Sequence, residues 1–484
     1  MELHELGLIG LAEALRRGEV SPREAVDHFL QRIAERDGAL AAFVEVTADR
    51  ARTAAAGLRA PGPDAPPLWG VPLAEKDLTA RAGVPTRYGS RAFADFVPEV
   101  SDPIATALDR LGAVSLGKTN TPEFGLTGYT ESLVAPPARN PWDTATGAGG
   151  SSGGAAVAVA AGLLPAAPAS DGGGSIRIPA STVGVVGLKP SRGRLPVGSG
   201  MDSPGGLAVA GPVARSVADA AYLLDALTAS EPYSYATRAP GAGPFLDAVR
   251  RPSRGLRVGV TTATPWDGWT DTTLSASARD ALDRAAGMLV EHHVEPLDWH
   301  PRGYPELFTT IWRASAARIP VAEEDLDALT EPLTAWLVRE GRALPAERVI
   351  GAYQAATAFE RDTIAAFAPF DAVLTPALAR DPQPVGWFTD GTDPEQNFAR
   401  QCQYAPHTSF VNVAGLPAVT VPVTAAPGER PVSVQLIGRP GGEAAILSLA
   451  AELESRRGPL PWPSVASWGS AASAAPLSTG TSAP

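Results

Sequence analysis

The chain has 484 residues, of which 19% are charged and 44% are hydrophobic, and it carries a formal net charge of -12 at pH 7. This composition is ordinary for a globular protein, and the length is sufficient for a large buried core. The negative charge argues against nucleic acid or an anionic membrane surface as a partner, and no stretch reaches the ~18 apolar residues that a membrane span requires.

The N-terminal residues and the cysteine content indicate a cytoplasmic protein. The first residues, Met1 to Glu5, contain no basic segment of the kind that begins a secretory signal. The single cysteine, Cys402, excludes an internal disulfide and a cysteine-based metal site.

In chain order, hydrophobic periodicity and capping residues predict an alternation of strands and helices. The first half is predicted to hold a helix capped at Ser21 and ending at Asp37, a strand over 69–74, a helix over 103–112, a strand over 113–116 and a buried helix over 155–164. The second half is predicted to hold strands over 256–261, 372–376, 418–423 and 432–437, with helices over 274–291 and 443–454. This alternation predicts an α/β fold with a mainly parallel sheet. Residues 465–484 lack charge and are predicted to be a flexible low-complexity tail that follows a domain over 1–464.

Lysine is rare in this chain, which has 37 arginines but only Lys76, Lys118 and Lys189 among its 40 basic residues. An amine can give up its proton, whereas a guanidinium does not. The three lysines are therefore candidates for proton transfer, and their sequence context has to decide between them.

Two serines lie within glycine-rich turns on either side of the predicted buried helix. Ser151 lies in Gly149-Gly150-Ser151-Ser152-Gly153-Gly154, and Ser175 ends the run Gly172-Gly173-Gly174-Ser175. Glycines allow backbone amides to approach a ligand closely, so the amides of Gly172, Gly173, Gly174 and Ser175 are candidates for stabilising an oxyanion.

At these motifs the sequence resembles the amidase signature family. The resemblance covers residues 5–455 and also includes Lys76-Asp77, Gly117-Lys118-Thr119-Asn120-Thr121-Pro122, Gly184 to Pro190, and Asn412 with Gly415-Leu416-Pro417. It implies a single large domain whose mixed central sheet is covered by helices on both faces. It also implies a hydrolase of amide bonds. We expect no metal or other cofactor, because nothing in the sequence supplies a credible set of metal ligands.

The resemblance further implies roles for individual residues. Ser175 matches the nucleophile that forms an acyl-enzyme, Ser151 the relay serine that follows a cis peptide bond, and Lys76 the general base. Burial must then lower the pKa of Lys76 so that its amine is neutral. The residues that support the glycine loops are expected to be Ser152, Asp171 and Arg177.

The substrate is expected to be a small aryl or alkyl amide or a carbamate. The segment 380–410 is rich in proline, glycine and aromatic residues and is predicted to be a loop over an apolar pocket. The predicted lining residues are Tyr129, Trp387, Phe388 and Tyr404. Short motifs beginning at Arg139 and Ile176 are similar to those of nylon-oligomer hydrolases and bacterial urethanases. We expect a monomer or homodimer without nucleic-acid or membrane partners.

One alternative hypothesis makes Ser151 the nucleophile of an α/β-hydrolase. Gly149 to Gly153 fits G-x-S-x-G, and His407 is the only well-placed late histidine. That nucleophile elbow directly follows a strand, whereas residues 140–147 are predicted to be a loop.

Two further motifs and one related class of protein suggest other kinds of site or function. Residues 112–119 fit the phosphate-loop pattern, but they follow a helix and contain a predicted strand. Glu291-His292-His293 is expected to be a solvated helix end without metal. A glutamine-amidotransferase component of a tRNA-modifying complex would share the triad, but no acidic residue occurs around Tyr404 and no matching arginine pattern around Val349 to Gly351.

Overall fold

A central β-sheet flanked by helices organises the computed structural model, which describes residues 2–195, 203–229, 239–241, 243–424, 426 and 428–464. The predicted tail over 465–484 lies outside the described residues. The strands are β1 (Phe43–Val46), β2 (Pro72–Lys76), β3 (Val114–Thr119), β4 (Arg139–Asn140), β5 (Asp143–Gly147), β6 (Ala166–Asp171), β7 (Val186–Lys189), β8 (Val209–Ala214), β9 (Arg257–Val260), β10 (His293–Pro296), β11 (Ala372–Pro376), β12 (Ala418–Pro422) and β13 (Ser433–Gly438). The α-helices are α1 (Gly7–Arg16), α2 (Pro22–Leu40), α3 (Ala48–Gly57), α4 (Pro103–Arg110), α5 (Gly153–Ala160), α6 (Arg177–Val183), α7 (Val217–Ala229), α8 (Phe245–Arg250), α9 (Ala276–Met288), α10 (Tyr304–Ala316), α11 (Leu326–Leu329), α12 (Pro332–Arg342), α13 (Ala346–Phe367), α14 (Pro394–Tyr404), α15 (Ser409–Val413) and α16 (Glu443–Arg457).

The large sheet has eight strands in the order β10-β9-β11-β13-β12-β7-β8-β6. The pairs β10/β9 and β9/β11 are parallel, and the other five neighbouring pairs of this described sheet are antiparallel. The predicted α/β class and mixed sheet are confirmed, but the expectation of a mainly parallel sheet is wrong. A parallel crossover needs about a dozen or more residues, and the connection between β12 and β13 is shorter than that.

A smaller sheet with the order β1-β3-β2 positions Lys76. Strand β2 runs parallel to β3, and Lys76, its last residue, lies opposite Thr119. All residues of β2 are buried. The strand predicted over 69–74 therefore lies slightly later in the chain and includes the lysine itself.

Helix α2 begins as its sequence predicts. The Glu24 amide donates to Ser21 Oγ at 3.2 Å, and the Ser21 amide donates to the Glu24 carboxylate at 2.8 Å, which forms a capping box. The helix continues beyond the predicted end to Leu40. Asp37 does not end the helix; its carboxylate accepts hydrogen bonds from the backbone amides of Ala42 and Phe43.

Helix α5 is buried along its whole length, as its lack of a polar face predicts. A Cβ at Gly154 would collide with the backbone of Ala42 and Asn120. Only glycine allows this close approach to the chain beside β1 and β3. The tight packing fixes the position of Ser151, which lies just before the helix.

Two segments predicted to be loops contain regular structure. Residues 139–147 form the antiparallel hairpin β4/β5, and the segment 380–410 contains α14. Within the described part of the chain, no helix is both long enough and apolar enough to cross a membrane.

Candidate active site

Lys76 contacts two serine hydroxyls at the end of β2. Its Nζ donates to Ser151 Oγ at 2.6 Å and to Ser170 Oγ at 3.2 Å. Lys76 is only 3% exposed, and burial lowers its pKa to about 7 although the Asp171 carboxylate acts in the opposite direction. Near neutral pH, a substantial fraction of the Lys76 amine is therefore uncharged and able to accept a proton.

Ser175 lies next to Ser151, so the structure brings the three predicted catalytic residues together. The backbone amide of Ser151 donates to Ser175 Oγ at 3.3 Å. No hydrogen bond joins the hydroxyl groups of these two described serines; the links are Lys76 to the Ser151 hydroxyl and the Ser151 amide to Ser175. A rotation of the Ser151 hydroxyl would complete a path for a proton from Ser175 to Lys76.

The backbone before Ser151 differs from the expectation. The only cis peptide bond among the described residues joins Gly243 and Pro244, so the expected cis bond before Ser151 is wrong. Gly149 and Gly150 instead have φ of +67° and +56°, values that L-residues rarely adopt. A Cβ at Gly150 would also collide with the Pro179 ring. These two left-handed glycines direct the chain so that the Ser151 hydroxyl meets Lys76.

A buried ion pair holds the loop that carries Ser175. Arg177 donates to the two carboxylate oxygens of Asp171 at 3.0 and 2.9 Å. Burial by itself would raise the pKa of Asp171, but the Arg177 guanidinium holds it well below its usual range. Asn412 donates to Asp171 Oδ1 at 2.9 Å and accepts from Arg177 Nη2 at 2.6 Å. Because both buried charges are matched, the loop geometry is preorganised.

One of the four amides expected to face an oxyanion is already in use. The Gly174 amide donates to Asp171 Oδ1 at 2.7 Å, because the carboxylate that holds the loop draws on backbone donors as well as on Arg177. The amides of Gly172, Gly173 and Ser175 donate to no other described residue. We therefore correct the expectation for Gly174 and retain the other three as candidate oxyanion donors.

A narrow pocket of about 60 Å³ opens at Ser175. Its aromatic walls are Trp266, Phe308, Trp312 and Phe398, and the described lining residues include no charged side chain. Phe308 and Trp312 lie on α10 and Phe398 lies on α14. The pocket is therefore suited to an uncharged, apolar group.

The polar groups around this pocket already have partners. Trp266 Nε1 donates to Ser409 Oγ, and Trp312 Nε1 donates to the Leu126 carbonyl, both at 3.2 Å. Gln401 accepts from the Gly128 amide at 2.7 Å. A bound group would consequently meet an apolar surface with few free hydrogen-bonding atoms.

A larger cavity of about 690 Å³ is lined by Lys76 and Ser170 but not by Ser175. An acyl-transfer reaction requires the nucleophile to reach the substrate carbonyl. The narrow pocket at Ser175 is for this reason the better candidate for substrate binding.

None of the four residues predicted to line the substrate pocket lies on the wall of this narrow pocket: Tyr129, Trp387, Phe388 and Tyr404. Tyr129 stacks on Phe388 with ring centroids 4.7 Å apart, and Tyr404 packs against Phe388 at 5.6 Å. The cluster lies behind the pocket and shares Ile178 and Ala405 with its wall. Aromatic enrichment of the 380–410 segment reflects core packing as well as pocket lining.

Two groups that complete the site were not predicted from the sequence. Ser170 accepts a hydrogen bond from Lys76, and its carbonyl accepts one from Ser152 Oγ at 3.2 Å. Gln435 accepts from Arg177 Nη1 at 2.7 Å. The position of Ser170 directly before Asp171 is a sequence signal that could identify it. No local pattern identifies Gln435, because it lies on the distant strand β13.

The α/β-hydrolase hypothesis requires a histidine that contacts the Ser151 hydroxyl, and His407 does not do so. Strand β5 does end shortly before Ser151, contrary to the predicted loop, but it belongs to the β4/β5 hairpin and not to the large sheet. His407 is buried, and its Nε2 contacts the Thr262 carbonyl at 3.0 Å instead of a serine hydroxyl. The partner of the Ser151 hydroxyl is Lys76.

The phosphate-loop and histidine motifs have structural roles. Lys118 is fully buried and pairs with Asp77 at 3.0 Å, which leaves its ammonium unavailable to phosphate. His292 is not at a solvated helix end as expected: it is buried in the turn after α9, and its Nε2 contacts Glu452 at 2.8 Å. Burial is possible there because the neighbouring α16 supplies the carboxylate.

Comparison with known proteins shows similarity along nearly the whole chain. The profile of the family described as Amidase matches residues 24–447. The glutamyl-tRNA(Gln) amidotransferase subunit of Synechococcus sp. (strain CC9311) is 36% identical over 91% of this chain and 95% of its own length. The structure of 6-aminohexanoate cyclic dimer hydrolase aligns with a TM-score of 0.84 and 28% identity over 96% of this chain and 98% of that chain. A bacterial aryl acylamidase of the amidase signature family aligns with a TM-score of 0.82 and 27% identity over 96% of each chain.

Proposed function

This chain belongs to the amidase family, whose signature enzymes hydrolyse amides, and from that premise we propose that it is a serine amidase with Ser175 as nucleophile, Ser151 as proton relay and Lys76 as general base. The observation that carries the proposal is the buried 2.6 Å contact between Lys76 Nζ and Ser151 Oγ, beside Ser175. The lowered pKa of Lys76 supplies the neutral amine that a base requires. No catalytic metal or other cofactor is part of the proposal.

The reaction begins when Ser175 Oγ attacks the substrate carbonyl. Its proton passes to Ser151 Oγ while the Ser151 proton passes to Lys76 Nζ, and the amides of Gly172, Gly173 and Ser175 face the developing oxyanion. The proton returns along the same path to the leaving nitrogen, and the C–N bond breaks to give an acyl-enzyme on Ser175. Water, deprotonated through Ser151 and Lys76, then releases the acid.

We infer that the substrate presents an uncharged aryl or alkyl group next to the scissile bond. The four aromatic walls of the pocket and the engaged indole N–H groups favour a flat or slender apolar group. Carbamates remain a second class because they offer the same carbonyl to Ser175.

A role in glutamine amidotransfer is the competing function, and the 36% identity to the Synechococcus protein favours it. Free glutamine carries an ammonium and a carboxylate next to its side chain. Burying either charge without a partner is costly, and the described pocket wall holds no charged residue to pair with them. The pocket chemistry therefore favours the amidase over the glutaminase.

The purified enzyme should hydrolyse neutral anilides or alkyl amides with a kcat/KM at least ~100-fold above that for glutamine, because a site without partners rejects charged groups. A panel of anilides, primary amides, carbamates and lactams, followed by release of amine or ammonia, measures this difference. Glutamine hydrolysis as efficient as that of the best neutral amide would instead support the amidotransferase function.

Replacing Trp312 by alanine should change the ranking of substrates more than it changes every rate together. The substitution removes apolar contacts that stabilise the bound transition state of a slender substrate by about 1.5–3 kcal/mol, so kcat/KM for that substrate should fall ~10- to 100-fold. The space that alanine leaves admits bulkier groups. The measurement is kcat/KM along a series of amides of increasing acyl length. Trp387→Ala is the matched control, since Trp387 does not line the pocket; equal changes in ranking for both variants would contradict this pocket assignment.

A further inference from the structure

Three potential metal ligands converge near the N-terminus, far along the chain from the catalytic residues. Glu2, His4 and His28 each place one ligand atom within 4.8 Å of the other two. His4 belongs to a short 3-10 helix, Leu3–Glu5, and His28 lies on α2. The two imidazole rings are stacked with centroids 5.6 Å apart.

One imidazole nitrogen of each histidine lacks the hydrogen-bond partner that a buried polar atom normally has. His4 Nδ1 and His28 Nε2 are buried, and neither has a hydrogen-bond partner among the described residues. Buried polar groups are satisfied in most proteins, so an unpartnered nitrogen on each of two neighbouring histidines indicates that a ligand is missing there.

The donor atoms of the cluster suit a divalent cation, and charged side chains of both signs surround it. Two imidazoles and one carboxylate offer the nitrogen and oxygen donors that a divalent transition-metal ion takes in proteins. Two arginines, Arg32 and Arg36, face the cluster, but so do the carboxylates of Glu2, Glu5 and Glu35. The Arg32 guanidinium donates to the carbonyls of Gly162 and Ala161, at 2.7 and 3.1 Å, so its N–H groups are engaged by backbone oxygens beside the cluster.

We propose that Glu2, His4 and His28 form a binding site for one divalent transition-metal ion, of which Zn²⁺ is the best match. Zinc takes imidazole nitrogen and carboxylate oxygen at ~2.0–2.2 Å, and two histidines with one glutamate leave its fourth position to water. Tetrahedral geometry spaces such ligand atoms ~3.4 Å apart, and rotation of the exposed Glu2 side chain supplies the required adjustment.

The site is structural and does not take part in amide hydrolysis. A Cβ on Gly162, just beyond the end of α5, would meet His4, Arg32 and Trp462, so the cluster packs against the end of that helix opposite to Ser151. The eight residues of α5 span about 12 Å. A metal ion there would join the N-terminal segment to α2 without contacting the catalytic groups.

The test uses the full chain without an N-terminal tag, stripped with a chelator and titrated with ZnCl₂ by calorimetry. We expect one Zn²⁺ per chain, a rise in Tm on binding, and a visible absorption band when Co²⁺ replaces Zn²⁺. His4→Ala, His28→Ala and Glu2→Gln should each weaken Zn²⁺ binding by at least ~10-fold, whereas His300→Ala, which changes an exposed histidine elsewhere, should bind as wild type does.

Two results would overturn the proposed zinc site. If wild type takes up no Zn²⁺ at ~100 μM, or if both histidine variants bind as wild type does, the cluster is not a metal site. Amide hydrolysis by the stripped wild type should keep its kcat, so failure of this site and failure of the proposed catalytic mechanism give separate results. Loss of kcat on stripping, restored by Zn²⁺, would contradict both the structural role and the metal-free mechanism.

Discussion

Replacement of Lys76 by arginine should lower kcat by at least ~10²–10⁴-fold, as much as replacement by alanine does, because removal of a general base has an effect of this size. Arginine keeps the positive charge but offers no neutral nitrogen at working pH. An electrostatic role for Lys76 predicts the reverse, with arginine close to wild type. Folding is checked by circular dichroism, and kcat is measured with the best amide of the panel. Folded Lys76→Arg with more than about a tenth of wild-type kcat would exclude the proton relay.

The pH dependence of wild type supplies a second readout for Lys76. Burial lowers its pKa to about 7, and the neutral amine is the active form, so kcat should rise as the pH increases through about 7 and then reach a plateau. Burial also lowers the pKa of Lys189 to about 7, and that group could produce the same rise. The rise should therefore be absent from the residual activity of Lys76→Ala; its persistence would assign it to Lys189 or another group.

Replacement of Ser175 by alanine should abolish turnover, with a loss of at least ~10⁴-fold, because it removes the proposed nucleophile, which lines the pocket and lies beside Ser151. A fluorophosphonate should label Ser175 in wild type, and peptide mass spectrometry locates the label. Ser151→Ala is the matched control: it keeps the nucleophile but interrupts the relay, so it should still be labelled at Ser175, only more slowly.

The position of the label separates the two serine mechanisms. A label on Ser151 would mean that Ser151 is the nucleophile, which would contradict the proposed roles of both serines. A label on neither serine in an active enzyme would contradict a serine mechanism altogether. Neither result would affect the assignment of the chain to the amidase family, which does not depend on the triad.

Local patterns predicted the individual elements of this protein well. The capping box at Ser21, the all-buried helix α5 and the strand ending at Pro376 depend on neighbouring residues, and the structure contains all three. The direction of strands in the large sheet was not predictable in the same way. The direction of a strand depends on whether the preceding connection brings the chain back to the same end of the sheet or to the opposite end. A hydrophobic strand has the same local pattern in parallel and antiparallel pairs.

The sequence by itself indicated the family and the lysine and serines that the structure brings together, because lysine is rare here and the glycine-flanked serines occur within motifs typical of one family. Only the tertiary structure decided what surrounds that chemistry. Trp266 and the aromatic residues of α10 and α14 form the pocket, whereas Tyr129 and Phe388, which were expected there, pack behind it. The physical reason is that a nucleophile and its loop lie in a short local segment, but a pocket wall is assembled from side chains that meet across the fold. Periodicity shows that such side chains are buried without showing which of them face one another.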